Sequence, residues 1–159
     1  MRRLIGIGDP DHGDDAAGWE VAGRVTTWSV ERRIAGSFDL VNSWSVDDEV
    51  VIVDAMYGDE RPGTILRFDM TVEREPPCVF SSSDLFGPCD IVALARSLDR
   101  MPRLLTIIGI QVDHTDEGVP MSAPVTHAVK RLAWQLQQEG AIRTEEVDLD
   151  EVAGSGGAD

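Results

Sequence analysis

Carboxylates in two short stretches are the side chains of this sequence with chemistry to offer. The first stretch, Gly6-Ile7-Gly8-Asp9-Pro10-Asp11-His12-Gly13-Asp14-Asp15, follows the opening apolar run; the second, Val50-Val51-Ile52-Val53-Asp54, ends another. Each sets an acid just past an apolar strand pattern, where an open parallel sheet holds its ligand crevice. Acids converging there repel one another unless a cation or a shared proton compensates, so the chemistry on offer is cation binding or paired-carboxylate catalysis. Asp14 and Asp15 also admit a structural reading, one as an N-cap and the other as a first-turn acid, since the helix dipole favours negative charge there.

Three other chemistries fit less well. Gly6 and Gly8 follow a strand pattern, but a dinucleotide fingerprint needs a third glycine where Asp11 stands, and the surrounding acids would repel a pyrophosphate. A receiver-like signalling domain places an acidic pair and a phosphoacceptor much as Asp14, Asp15 and Asp54 are placed, with magnesium between them. It also needs a lysine ending the last strand, and the sole lysine, Lys130, lies in the final helical pattern. Nucleophilic catalysis lacks a GxSxG elbow around Ser81, Ser82 and Ser83, and His12, His114 and His127 are scattered.

The elements that must position these acids alternate between strand and helix periods. Leu4–Gly8 and Leu104–Ile110 are apolar on both faces, and Val50–Asp54 is β-branched, so each reads as a buried strand. A helix is expected from Asp15 to about Trp28, a short strand over Arg32–Ala35, and a short helix over Phe38–Trp44. Thr64–Asp69 reads as an edge strand because Arg67 interrupts its apolar pattern. Met70–Pro88 is a long connection whose Pro76–Pro88 part suits a lid or clamp. Ile91–Arg100 reads as a helix. Ser122 and Pro124 open a last helix with the stripe Val125, Ala128, Val129, Leu132 and Leu136. The expected fold is α/β: a three-layer, mainly parallel twisted sheet of about five strands with helices on both faces. One domain spans 1–142, and 143–159 is expected to be an acidic, disordered tail.

Composition narrows the partners. The net charge of −15 argues against nucleic acid and anionic membrane, and suits a cation or a basic partner as well as plain solubility. Neither a signal peptide nor a membrane span is legible, and Cys78 and Cys89 read as free thiols, so a cytoplasmic protein is expected.

The motifs in order resemble the [NiFe]-hydrogenase maturation proteases. Gly6-Ile7-Gly8-Asp9-Pro10 and Gly13-Asp14-Asp15-Ala16-Ala17-Gly18 are similar to the family's opening. Val50-Val51-Ile52-Val53-Asp54-Ala55, running on to Pro62-Gly63-Thr64-Ile65-Leu66-Arg67-Phe68, is similar to its second block, and Met101–Ile110 and Gly118–Val125 to later ones. The resemblance spans about residues 3–138. It implies an endopeptidase that removes the C-terminal extension of a [NiFe]-hydrogenase large-subunit precursor once nickel is inserted. Nickel would be presented by that substrate, with another divalent cation as its stand-in in the isolated protein. It further implies metal contacts from Asp15, Asp54 and a third position that falls on Asp84, where the family has histidine. Asp15 and Asp54 would be catalytic, with an aspartic-type or metal-dependent mechanism. Gly8, Asp9, Asp14, Ser83 and His114 would line the substrate loops. Asp84 for histidine and Asp9 for asparagine are departures that leave open a changed metal preference, an unusual substrate or an inactive relative. A receiver-like domain phosphorylated at Asp54 and a non-catalytic hydrogenase-subunit binder are the alternatives.

Overall fold

The computed structural model describes residues 1–72 and 86–154, with 142–154 described by their backbone alone. In chain order the elements are β1 (Arg2–Ile7), a 3₁₀ turn (Gly13–Ala16), α1 (Ala17–Ala22), β2 (Ser29–Arg33) and a second 3₁₀ turn (Phe38–Asn42). They continue with β3 (Glu49–Met56), β4 (Ile65–Asp69), α2 (Pro88–Ser97), β5 (Leu104–Gln111) and α3 (Ala123–Gly154). The sheet runs β2-β1-β3-β5-β4. The first four are mutually parallel, and β4 is antiparallel to β5 at the far edge, the edge position that Arg67 suggests.

Strand periodicity divides the core into two. On one face Leu4, Val51, Val53, Ile108 and Ile110 pack against Val21 of α1 and the α3 stripe Val125, Ala128, Val129, Leu132 and Leu136. On the other, Ile5, Ile7, Val50, Ile52, Leu105 and Ile107 meet Ile91, Val92 and Ala95 of α2, with Leu40, Val41 and Trp44 from the second 3₁₀ region. Alternate residues of one strand therefore feed opposite cores. This is why β1, β3 and β5 carry apolar runs rather than apolar–polar alternation.

Several expectations shift in detail. The helix expected over Asp15–Trp28 stops at Ala22. Beyond Gly23 the chain turns so that Trp28 Nε1 can donate to the Leu136 carbonyl at 2.8 Å, anchoring α3. Val25 and Trp28 stay buried, as a helix would also have had them. The second strand comes earlier than Arg32–Ala35, because pairing of Ser29–Arg33 with Arg3–Ile7 of β1 sets its register. The Phe38–Trp44 helix is a shorter 3₁₀ turn. α3 runs on through Gly154, into the stretch expected as a tail. Residues 73–85, which include most of the lid expected over 76–88, lie outside the described residues.

Candidate active site

From β1 the chain leaves to β2 on one side of the sheet, and β3 lies on the other, so the crevice between the ends of β1 and β3 is the switch point of this sheet. Asp54 sits near the carboxyl end of β3, and Asp15 lies in the 3₁₀ turn that follows β1. Both line one pocket there, together with Ile7, Gly8, Tyr57 and Phe86. It joins a wider cleft that Asp9, His12, Asp15, Tyr57 and Thr115 border.

The glycines explain how Asp15 gets there. A Cβ on Gly6 would lie 2.2 Å from the Gly18 carbonyl oxygen, one on Gly18 2.2 Å from that of Val53, and one on Gly8 2.1 Å from that of Asp15. Their missing side chains let α1 and its preceding turn lie directly on β1 and β3. The Gly6-x-Gly8 pattern thus serves strand–helix contact and not phosphate binding.

Among the described residues three acids are buried, and they differ in how well they are satisfied. Asp48 pairs with the Met1 ammonium at 3.1 Å and the Arg3 guanidinium at 2.8 Å. Asp14 accepts four hydrogen bonds: from the N–H groups of Asp113 (2.8 Å), His114 (3.2 Å) and Ser122 (2.7 Å), and from the Ser122 hydroxyl (2.9 Å). Burial pushes the Asp14 carboxyl up, but those bonds outweigh it and hold it below the ordinary carboxylate range. Among the described residues Asp54 has only its neighbour's support, the Ala55 N–H at 2.8 Å. Burial, and then the charge of Asp15, push the Asp54 carboxyl well above the ordinary range despite that bond. A buried acid left so poorly compensated in a pocket is a candidate functional position.

Asp15 is held from two sides. The Tyr57 hydroxyl donates to Oδ1 at 2.6 Å and the Asp9 N–H to Oδ2 at 3.0 Å. Asp9 is itself fixed by the Asp11 N–H at 2.9 Å, and His12 Nδ1 lies 2.9 Å from its other carboxylate oxygen without hydrogen-bonding it. Sequence reasoning missed Tyr57. Its phenol is pushed upward by burial and by its bond to Asp15, so it stays a proton donor. Its place three residues past Asp54, where the strand delivers it to the same crevice, was the available signal.

The other expected site residues separate. Gly8 lines the pocket and Asp9 the adjoining cleft. Asp14 is not the N-cap of its turn and lines neither the pocket nor the cleft: it ties the turn after β1 to the β5–α3 loop, so its N-cap reading gives way to that of a tie between loops. His114 packs behind Gly13, with Nδ1 buried and unpartnered among the described residues. Ser83 and Asp84 lie outside the described residues. Among the described residues no three His, Cys, Asp or Glu side chains gather as a metal cage.

The family model for hydrogenase maturation protease (HycI) matches residues 35–139. Among solved structures, a HycI [NiFe] hydrogenase maturation protease from Thermococcus kodakarensis KOD1 is 25% identical, with a TM-score of 0.68 over 87% of this chain and 90% of that one. The endopeptidase HycI from Escherichia coli is 21% identical, with a TM-score of 0.66 over 87% and 90%. The hydrogenase maturating endopeptidase HybD from Escherichia coli is 19% identical, with a TM-score of 0.68 over 91% and 93%. No curated protein matches the chain. Neither the family match nor these structures supports the receiver-like or the non-catalytic alternative. The matched region covers β3 with Asp54 and Tyr57, and α/β proteins of this shape surround it: the chain belongs to the hydrogenase maturation proteases, peptide-bond hydrolases tied to the maturation of nickel hydrogenases.

Proposed function

We propose that this protein removes the C-terminal extension of a [NiFe]-hydrogenase large-subunit precursor in the cytoplasm after nickel has been inserted. The observation that carries the reading is the meeting of Asp15 and Asp54 in one pocket, close enough for the charge of one to raise the proton affinity of the other. A cation relieves that repulsion, and nickel in the precursor is the cation at hand; another divalent ion serves in its place only in the isolated protein. Docking then draws the segment beyond the metal site across the pocket.

The reaction is hydrolysis. Water oxygen bonds to the scissile carbonyl carbon, the C–N bond breaks, and a proton passes to the leaving amine. Asp15, fixed by Tyr57 and the Asp9 N–H, orients the water and takes its proton; Asp54 faces the developing charge at the carbonyl. This division combines metal-dependent and aspartic-type features. Asp84 is a third contact in this scheme, and residues 1–142 form the catalytic domain.

Incubation with nickel-loaded precursor, followed by mass spectrometry, is the test. A shortened large subunit with wild-type protein, and an intact one with Asp54→Asn or without nickel, is the expected result. Normal processing by Asp54→Asn removes the carboxylate role.

A further inference from the structure

We infer that Ile34, Phe38 and Phe86 form an apolar shelf at the mouth of the carboxylate pocket, which seats a bulky apolar side chain of the precursor beside the bond to be cut. The inference rests on the peptidase reading and names a feature of the substrate within it.

Ile34 is 59% and Phe38 69% exposed, although both are large and apolar. Single exposed apolar residues are ordinary, but these adjoin the reactive groups. Ile34 and Phe86 line the same pocket as Asp15 and Asp54, and the Phe38 ring lies against that of Phe86 with centroids 4.4 Å apart.

The shelf is also built. A Cβ on Gly36 would lie 2.1 Å from the Phe86 carbonyl oxygen, so the segment after β2 is pressed onto the chain entering α2. Arg33 closes the base of that segment through ion pairs to Asp39 at 3.1 Å and Glu31 at 2.8 Å. Ile34 and Phe38 are thereby held at a fixed rim and not on a loose tip.

Charge identifies the occupant. The pocket floor carries two carboxylates and, among the described residues, no Lys or Arg lines it, so the visitor brings the positive charge and presents apolar surface to the rim. Ile34 and Phe86 line the pocket that also holds both carboxylates, so a side chain on the shelf belongs to a residue close to the bond held over them.

The test compares wild-type protein with the double variant Ile34→Ser/Phe38→Ser, whose exposed positions leave the core untouched. With nickel-loaded precursor the expected result is a KM raised about tenfold and a kcat within about twofold. An unchanged KM overturns the shelf. Affinity of the same precursor for protein whose Asp54 is intact, with and without the shelf substitutions, is read separately by rapid binding before turnover and is expected to fall about tenfold. Should wild type leave the precursor uncut while the shelf substitutions still weaken binding, the peptidase reading fails and the shelf stands. Equal or absent binding overturns the shelf whatever the cleavage result.

Discussion

Asp14→Asn separates a structural acid from the one proposed to be catalytic within the same acidic pair. Asp14 is fully buried, with three bonds converging on Oδ2 and one on Oδ1. An asparagine keeps the shape and, with its oxygen placed at the Oδ2 position, keeps three of the four. Its amide then faces the Ser122 N–H, donor against donor, and the remaining bonds lose their charge assistance. A hydrogen bond to a charged group contributes about 1.5–3 kcal/mol, so a loss of about 2–3 kcal/mol is expected at pH 7. For a chain of this size that lowers Tm by roughly 5–10 °C. The pH dependence has a definite sign. The folded carboxyl is held below its unfolded value of 3.8, so its stabilisation is present above that value and fades as pH falls through the folded one. The gap between wild type and Asp14→Asn therefore narrows below about pH 4. Urea unfolding at pH 7 and pH 3, with peptidase activity per folded molecule at pH 7, reads all three quantities. Equal stability at pH 7, or a variant that stays folded yet is catalytically dead, refutes the assignment of Asp14 as a tie between loops.

The pocket acid behaves in the opposite sense. Burial raises the folded carboxyl of Asp54, so its burial disfavours folding increasingly as pH rises above the unfolded value; Asp54→Asn is expected to be more stable than wild type at pH 8 and no different near pH 3, while processing no precursor, as thermal unfolding and mass spectrometry will show. Tyr57→Phe removes one of the two bonds that orient Asp15, and kcat is expected to fall on the order of tenfold with KM unchanged; steady-state kinetics that show only a KM effect would count against that role. Gly8→Ala forces a Cβ against the Asp15 backbone, and the expected outcome is loss of processing greater than any loss of helical circular dichroism.

How much of this could be read in the residues depends on the reach of each signal. Four of the five strands, the edge position of the strand containing Arg67, and the α3 stripe from Val125 to Leu136 follow from local periodicity, because burial on two faces or one leaves a mark on consecutive side chains; β2 has no buried residue and is placed by its pairing with β1. Boundaries were less legible. The helix after Asp15 stops at Ala22 because Trp28 has a partner on α3, a contact that lies 108 residues away in sequence.

The acidic motifs, their order and their places after β1 and β3 were determined by the amino-acid sequence alone, and with them the family. Which acid of the Asp14–Asp15 pair turns toward the pocket was decided only by the tertiary structure. Adjacent residues in a 3₁₀ turn point in different directions, and the direction each takes depends on what waits there: three N–H groups and a hydroxyl from the β5–α3 region for Asp14, and Tyr57 with the Asp9 N–H for Asp15. Charge and spacing are identical for the two until distant segments of chain arrive to hydrogen-bond one and leave the other beside Asp54.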